Sequence, residues 1–118
     1  MTTREDLFTY CEEQYGVAPD HPWRDTPDAA VLRHPASRKW FALVMDVPAA
    51  SLGLPGSGRV DAVNLKCDPL LIGSLRSEPG VHPAYHMNKE HWITVVLDSP
   101  FPTKELLRLL DFSYDLTR

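Results

Sequence analysis

The chain has 118 residues, the size of one domain that can bury a hydrophobic core. Apolar residues make up 43% and charged residues 24%, which excludes a disordered tail, a collagen-like repeat and a disulfide-rich scaffold. The formal net charge of −4 argues against a protein held to nucleic acid by bulk electrostatics. We predict a single domain over residues 1–118.

The charge is uneven along the chain. The first 28 residues are strongly acidic, whereas residues 29–97 carry more bases than acids, so a local basic face is possible in the middle third. The longest apolar run, Trp40 to Met45, is far shorter than the ~20 residues that span a bilayer, and the N-terminus has no apolar signal segment. With two widely separated cysteines, we expect a cytoplasmic protein without a membrane partner.

The first predicted element is a helix that begins near Thr2. Thr2 and Glu5 have the spacing of a capping box, and Gly16 is a suitable stop because it tolerates the left-handed conformation. Residues 17–28 contain three prolines and predict a loop. The apolar side of this helix recurs at helical spacing: Leu7, Phe8, Cys11 and Tyr15.

Three strands are predicted next, over residues 29–34, 39–47 and 59–66. The second is apolar on both faces, as in a strand that is covered on both sides. Simple alternation places Trp40, Ala42 and Val44 on one face and Phe41, Leu43, Met45 and Val47 on the other. Residues 48–58 hold two prolines and three glycines, which predicts a long exposed loop.

The remaining elements are two helices and one strand. Asp68 and Pro69 predict a helix start, residues 81–90 look irregular, and residues 91–97 predict a fourth strand. Thr103 is predicted to cap a last amphipathic helix, in which Ser113 has a packing role. The order α-β-β-β-α-β-α predicts an α+β fold with an antiparallel sheet and helices packed on one face.

Three stretches are distinctive as sequence motifs, beyond their pattern of apolar residues: Val63 to Pro69, Pro83 to Trp92, and Ser113 to Leu116. Together with residues 22–23 and 39–43, they make the chain resemble the MmcQ/YjbR family over essentially its whole length. This resemblance implies a bacterial protein with a CyaY-like (frataxin-like) fold, in a "double wing" arrangement, and DNA binding. Alanine stands at position 84, where the family often has glycine, and the 48–58 loop looks enlarged.

The polar segment 82–92 is the main candidate for binding. Exposed Asn88 and Lys89 could meet phosphate, and Tyr85 or Trp92 could stack on a base. The alternative is that His86, Asn88 and Trp92 lock an irregular backbone by hydrogen bonds. The full set of predicted nucleic-acid contacts is Arg59, Lys66, Tyr85, His86, Asn88, Lys89, His91 and Trp92.

Metal binding is a competing hypothesis. His82, His86 and His91 are close in sequence, but Pro83 disfavours a helical pair and no carboxylate completes a ligand set, so we predict no metal and no cofactor. The frataxin-like resemblance draws attention to the acidic first helix as an iron-binding surface, although a solvated helix face explains the same acids. Those acids are Glu5, Asp6, Glu12 and Glu13.

Catalysis has little support in the sequence. Cys67 precedes a helix start that could lower its pKa, but its position in the strand pattern favours a small buried side chain. No nucleophile-elbow, P-loop or dinucleotide-binding pattern occurs. We therefore expect a non-enzymatic DNA-binding module; the alternatives are a protein-interaction or small-ligand-binding module, or a frataxin-like metal binder.

Overall fold

The computed structural model describes residues 2–118, which form a five-stranded antiparallel sheet, three α-helices and a short 3-10 helix. The strands lie side by side in the order β1-β2-β3-β5-β4. Within residues 2–118, no helix has the length and hydrophobicity that crossing a bilayer requires. The elements in chain order are α1 (Arg4–Tyr15), β1 (Ala30–Arg33), β2 (Trp40–Pro48), the 3-10 helix (Ala49–Leu52), β3 (Arg59–Lys66), α2 (Pro69–Leu75), β4 (Val81–Pro83), β5 (Trp92–Val96) and α3 (Thr103–Leu116).

All three helices contribute to one hydrophobic core against one face of the sheet. Leu7 of α1, Ile72 of α2 and Leu110 of α3 belong to the same buried cluster as Val63 and Ile93 of the sheet. Full burial of one such side chain stabilises the fold by about 1.5–3 kcal/mol. The predicted α+β architecture, with an antiparallel sheet and helices on one face, is confirmed.

The start of α1 lies one residue later than predicted. The capping box is formed by Thr3 and Asp6: the Asp6 amide donates to Thr3 Oγ1 at 3.1 Å, and the Thr3 amide donates to Asp6 Oδ2 at 2.9 Å. The predicted pair of Thr2 and Glu5 is wrong, because Thr2 is buried and its hydroxyl lies 2.6 Å from that of Thr103. The cap motif was recognised correctly but was placed out of register by one position.

A β-bulge changes the face on which two aromatic residues lie. Leu32 pairs with Ala42, but its neighbour Arg33 pairs with Trp40, so Phe41 is an extra residue in β2. Phe41 therefore packs with Ala42 in the helix-side core, and Trp40 packs against the cluster on the opposite face. The predicted alternation was wrong at these two residues, because the bulge interrupts the two-residue period.

Two segments that were predicted to be irregular contain short ordered elements. Val81–Pro83 forms β4, which pairs with β5 at the edge of the sheet, whereas residues 81–90 had been predicted to lack a strand. The loop 48–58 begins with the 3-10 helix Ala49–Leu52, which ends at Gly53 in the left-handed conformation with φ of 73°. Both elements have only three or four residues, which is too short for a periodic sequence pattern to reveal them.

The last helix begins one residue earlier than predicted, and Ser113 packs through hydrogen bonds to the sheet. Pro102 is the N-cap and offers no side-chain hydrogen bond, so Thr103 is the first helical residue. The Ser113 hydroxyl donates to the Phe41 carbonyl at 2.6 Å and accepts from the Lys66 amide at 2.9 Å. It therefore joins α3 to β2 and β3, and bonds neither a carbonyl one turn back nor a loop.

Candidate functional site

The sheet face opposite the helices, termed the open face, carries a second and smaller apolar cluster. Four partly buried side chains pack against it: Trp40 at the start of β2, Leu52 of the 3-10 helix, Val60 of β3 and Tyr85. No α-helix contributes to this cluster among the described residues. Its buried members are Ala29, Val31, Leu43, Met45, Val47 and Ala62.

A buried polar network fixes the backbone of Tyr85 on the open face. Asn64 of β3 and Thr94 of β5 face each other in the strand register and are fully buried. The Asn64 side-chain amide donates to the Tyr85 carbonyl at 2.8 Å, and the Tyr85 amide donates to Thr94 Oγ1 at 2.8 Å. The Thr94 hydroxyl donates in turn to Asn64 Oδ1. Because every member has a partner, the network stabilises one position of the Tyr85 backbone.

The turn that follows is held by hydrogen bonds to its own backbone. Asn88 Oδ1 accepts from the Glu90 amide at 2.8 Å, and the Asn88 carbonyl accepts from the Trp92 amide at 2.9 Å. The Lys89 ammonium donates to the Ala84 carbonyl at 2.9 Å. Asn88 therefore helps to lock the irregular backbone, as the structural alternative predicted for it, and Lys89 adds a hydrogen bond that this alternative did not include.

His86 has a left-handed backbone, with φ of 57°. A side chain in this region costs about 1–3 kcal/mol, and such residues persist where the surroundings determine them. The preceding residue, Tyr85, is tied on both its amide and its carbonyl, and its ring contacts the His86 ring edge-on at 4.1 Å between centroids. The conformation presents exposed His86 at the rim of two neighbouring cavities.

The larger of these cavities is a cleft of about 610 Å³ on the open face. One wall comes from the proline-rich loop with Trp23, and the other from Tyr85 and His86. Leu43 and Met45 of β2 contribute apolar lining. The Trp23 ring is 36% exposed and packs edge-on against the ring of Trp40, 5.6 Å away. The cleft thus combines aromatic walls with an apolar sheet surface.

The charged residues of the cleft are mostly acidic. Asp25, Asp28 and Asp46 line it together with a single guanidinium, that of Arg59. The Arg59 guanidinium forms an ion pair with the Asp46 carboxylate and donates to the Asp46 carbonyl at 3.1 Å. The positive charge of Arg59 is therefore already matched inside the cleft, and the lining keeps an excess of negative charge.

The structure separates the residues that were predicted to contact nucleic acid. Arg59, Tyr85 and His86 line the cleft, and Lys89 lines the adjacent cavity together with Tyr85 and His86. Lys66 lines a different groove, between α2 and α3. The remaining residues lie in the turn before β5 or at its start: Asn88, His91 and Trp92.

The cleft also contains residues that sequence reasoning did not assign to a site. Trp23 lies in the proline-rich loop and was one of the residues that supported the family resemblance, but we did not assign it to a site. Asp25 and Asp28 were counted only as part of the acidic first 28 residues, and no local pattern connects them with Tyr85. These positions meet only through the tertiary fold.

The histidines of segment 82–92 and Cys67 were weighed above as metal ligands and as a nucleophile. Within residues 2–118, no group of three or more His, Cys, Asp or Glu side chains is arranged to hold a metal ion. Cys67 is buried, and burial, with a smaller contribution from the Asp68 carboxylate, raises the pKa of its thiol. Burial also raises the pKa of the Cys11 thiol to about 12. Both cysteines are free and buried, which suits packing and not nucleophilic attack.

The comparison with known proteins decides the family. The family model for YjbR matches residues 12–116. The chain belongs to the YjbR family. The uncharacterised protein YyaQ of Bacillus subtilis (strain 168) is 45% identical over 118 residues, and the match covers 100% of both chains. The uncharacterised protein YjbR of Escherichia coli (strain K12) is 44% identical over 54 residues, which is 45% of this chain and 46% of that protein.

Solved structures agree with the YjbR assignment. A crystal structure of a protein from Pseudomonas syringae superimposes with a TM-score of 0.96 at 50% identity, covering 99% of this chain and 100% of that chain. The crystal structure of protein DR2400 from Deinococcus radiodurans has a TM-score of 0.73 at 29% identity, and the match covers 98% of this chain and 78% of that chain. The resemblance to the YjbR family that the sequence motifs indicated is confirmed.

Proposed function

We propose that this YjbR-family protein is a non-enzymatic module that binds a small organic molecule in the cleft on the open face. The observation that carries this proposal is the wall of the cleft: Tyr85 is fixed through its backbone by buried Asn64 and Thr94, and the strained His86 follows it. A cleft of this volume, in which aromatic and apolar surface lies beside polar groups, is within the range of small-molecule sites.

The non-enzymatic part of the proposal is supported by the state of the two thiols. Cys11 and Cys67 are buried with raised pKa values, so neither is poised as a thiolate at neutral pH. Free thiols also suit the reducing cytoplasm, where we place the protein.

DNA binding, which the family resemblance implies, ranks second. It is favoured by exposed Lys89 in the 84–92 turn and by the excess of bases over acids in residues 29–97. It is disfavoured by the charges beside that turn, because Arg59 is paired with Asp46 and the cleft retains the carboxylates of Asp25 and Asp28. Phosphate contacts dominate the affinity of proteins for DNA, so a negatively charged surface is a poor match for DNA.

An NMR titration of the ¹⁵N-labelled protein distinguishes the two functions. Small organic fragments are expected to shift the Trp23 indole and the Tyr85 and His86 amides, whereas a short DNA duplex at low salt is expected to shift none of them. Trp23→Ala should weaken fragment binding, and Phe112→Ala should not, since Phe112 is a similarly exposed aromatic residue at the α2–α3 groove. Fragment shifts confined to that groove, or shifts in the 84–92 turn with DNA alone, would overturn the proposal.

A further inference from the structure

We infer that the ligand of the cleft is a small organic cation with an aliphatic body, such as a substituted ammonium ion. This inference rests on the proposed function and adds the chemical class of the ligand. It is drawn from three properties of the lining: its charge, its aromatic rings and its apolar surface.

The negative charge of the cleft is not neutralised by the protein. Within residues 2–118, the carboxylates of Asp25 and Asp28 have no salt-bridge partner, whereas Asp46 is paired with Arg59. Arg4 approaches through a hydrogen bond to the Asp28 carbonyl, but its guanidinium is already paired with another carboxylate, that of Asp61. A cationic ligand would supply the missing positive charge.

The same lining favours an organic cation over a metal ion. Trp23 and Tyr85 bring two aromatic rings to the cleft, and the face of an aromatic ring attracts a cation, most strongly when the cation is poorly hydrated. Leu43 and Met45 offer apolar surface that suits methyl or methylene groups. Hydrated Ca²⁺ or Mg²⁺ would prefer a cage of several oxygen ligands without such surface.

Among the lysine and arginine residues of 2–118, only Arg59 lines this cleft, and an anionic ligand would find it already paired. The guanidinium of Arg59 is held by both the carboxylate and the carbonyl of Asp46, so an incoming carboxylate or phosphate would have to displace it. It would also have to approach Asp25 and Asp28. The repulsion between these carboxylates and a nearby anion would weaken binding.

Matched pairs of ligands test the charge directly. Choline and 3,3-dimethylbutan-1-ol have nearly the same shape, but only choline is charged, and cyclohexylammonium and cyclohexanol form a second such pair. By NMR titration, each cation should bind about tenfold more tightly than its neutral partner, with shifts at Trp23 and Tyr85.

Variants of the same size separate the charge from the shape of the cleft. The double variant Asp25→Asn with Asp28→Asn should reduce the preference for each cation to about twofold or less. The control is Glu12→Gln with Glu13→Gln on α1, which removes as much charge outside the cleft and should leave the preference unchanged.

The outcomes distinguish this inference from the proposed function. Neutral partners that bind the cleft as tightly as the cations, or anionic fragments that bind it better, would overturn the cation assignment and leave the cleft as a binding site. A cation preference that survives in the aspartate double variant would also overturn it. If no organic fragment of any charge shifts the cleft residues, the proposed function itself fails.

Discussion

The side-chain amide of Asn64, in the middle of the sheet, donates to the backbone carbonyl of Tyr85 at 2.8 Å. Asn64 is fully buried, and its own oxygen accepts from Thr94 on the neighbouring strand. One wall of the cleft is therefore tied to the buried centre of the sheet, although the segment 84–92 itself is irregular. This is the relationship on which the proposed binding site depends.

Removal of that tie should weaken both the fold and the wall. Asn64→Ala leaves the Tyr85 carbonyl without its buried donor, so we expect the free energy of unfolding to fall by about 1–3 kcal/mol. Urea denaturation measures this loss. The control is Asn88→Ala, at an exposed residue whose side chain bonds only the Glu90 amide, and its cost should stay below about 1 kcal/mol. Equal losses in the two variants would contradict the buried network.

Ser113 lies in a helix, but its hydroxyl should stabilise the sheet as a paired strand residue would. Residues 41 and 66 would be the next pair in the β2–β3 register, and the Ser113 hydroxyl bonds the carbonyl of one and the amide of the other. Ser113→Ala leaves both groups unpaired, so we expect a loss of about 1–3 kcal/mol in urea denaturation. Ser74→Ala, at an exposed serine of α2, should change stability by at most about 0.5 kcal/mol. A silent Ser113→Ala would show that this bridge is dispensable.

Two glycine-to-alanine substitutions should have opposite signs. Gly80 has φ of +91°, and a Cβ there would lie 2.3 Å from the Ser99 hydroxyl oxygen, so Gly80→Ala should destabilise the fold by about 2 kcal/mol or more. Gly73 is helical and a Cβ there meets nothing within 4 Å, so Gly73→Ala should stabilise it by about 0.5–1 kcal/mol. Thermal unfolding of both variants checks the pair. A stabilising Gly80→Ala would contradict the left-handed turn before β4.

Stability should fall in alkaline solution because of Cys11. Burial raises the pKa of this thiol from 9.0 to about 12, so above pH 9 the unfolded chain loses a proton that the folded chain keeps. The stabilisation is therefore complete below pH 9 and is lost as the pH rises towards 12, by up to about 1.4 kcal/mol per pH unit. Urea denaturation between pH 8 and pH 11 measures the slope.

A variant without the Cys11 thiol provides the comparison for this pH dependence. Cys11→Ala should be less stable at pH 8, because it leaves a cavity, but its stability should fall less steeply above pH 9. Part of the slope should remain, since burial and hydrogen bonds to Asp111 also raise the pKa of Tyr10 and Tyr15. Identical slopes in the wild type and the variant would contradict the assignment to Cys11.

The parts of the fold that the sequence predicted well are those with local chemical signals. Gly16 ends α1 in the left-handed conformation, and Asp68 with Pro69 begins α2 through a side-chain hydrogen bond to the Leu70 amide. β3 has the predicted bounds. The bulge at Phe41 could not be predicted in this way, because it depends on how β1 and β2 pair and not on the composition of either strand.

The candidate site was predictable only in part, for a related reason. The motif around Tyr85 and His86 is contiguous in sequence, so it was recognised. Trp23 and Asp25, on the opposite wall, are about 60 residues away along the chain, and only the packing of the proline-rich loop over the open face brings them to the same cleft. Long-range contacts of this kind leave no periodic pattern in the sequence.

The most direct test of the account is to compare fragment binding in the wild type and in Asn64→Ala by NMR, under conditions where both are folded. We expect fragments to shift Trp23, Tyr85 and His86 in the wild type and to bind at least about tenfold more weakly in the variant, because the Tyr85 carbonyl has lost its donor. Unchanged affinity in the variant, or binding that never involves these three residues, would contradict the claim that a sheet-anchored Tyr85 wall forms the binding site.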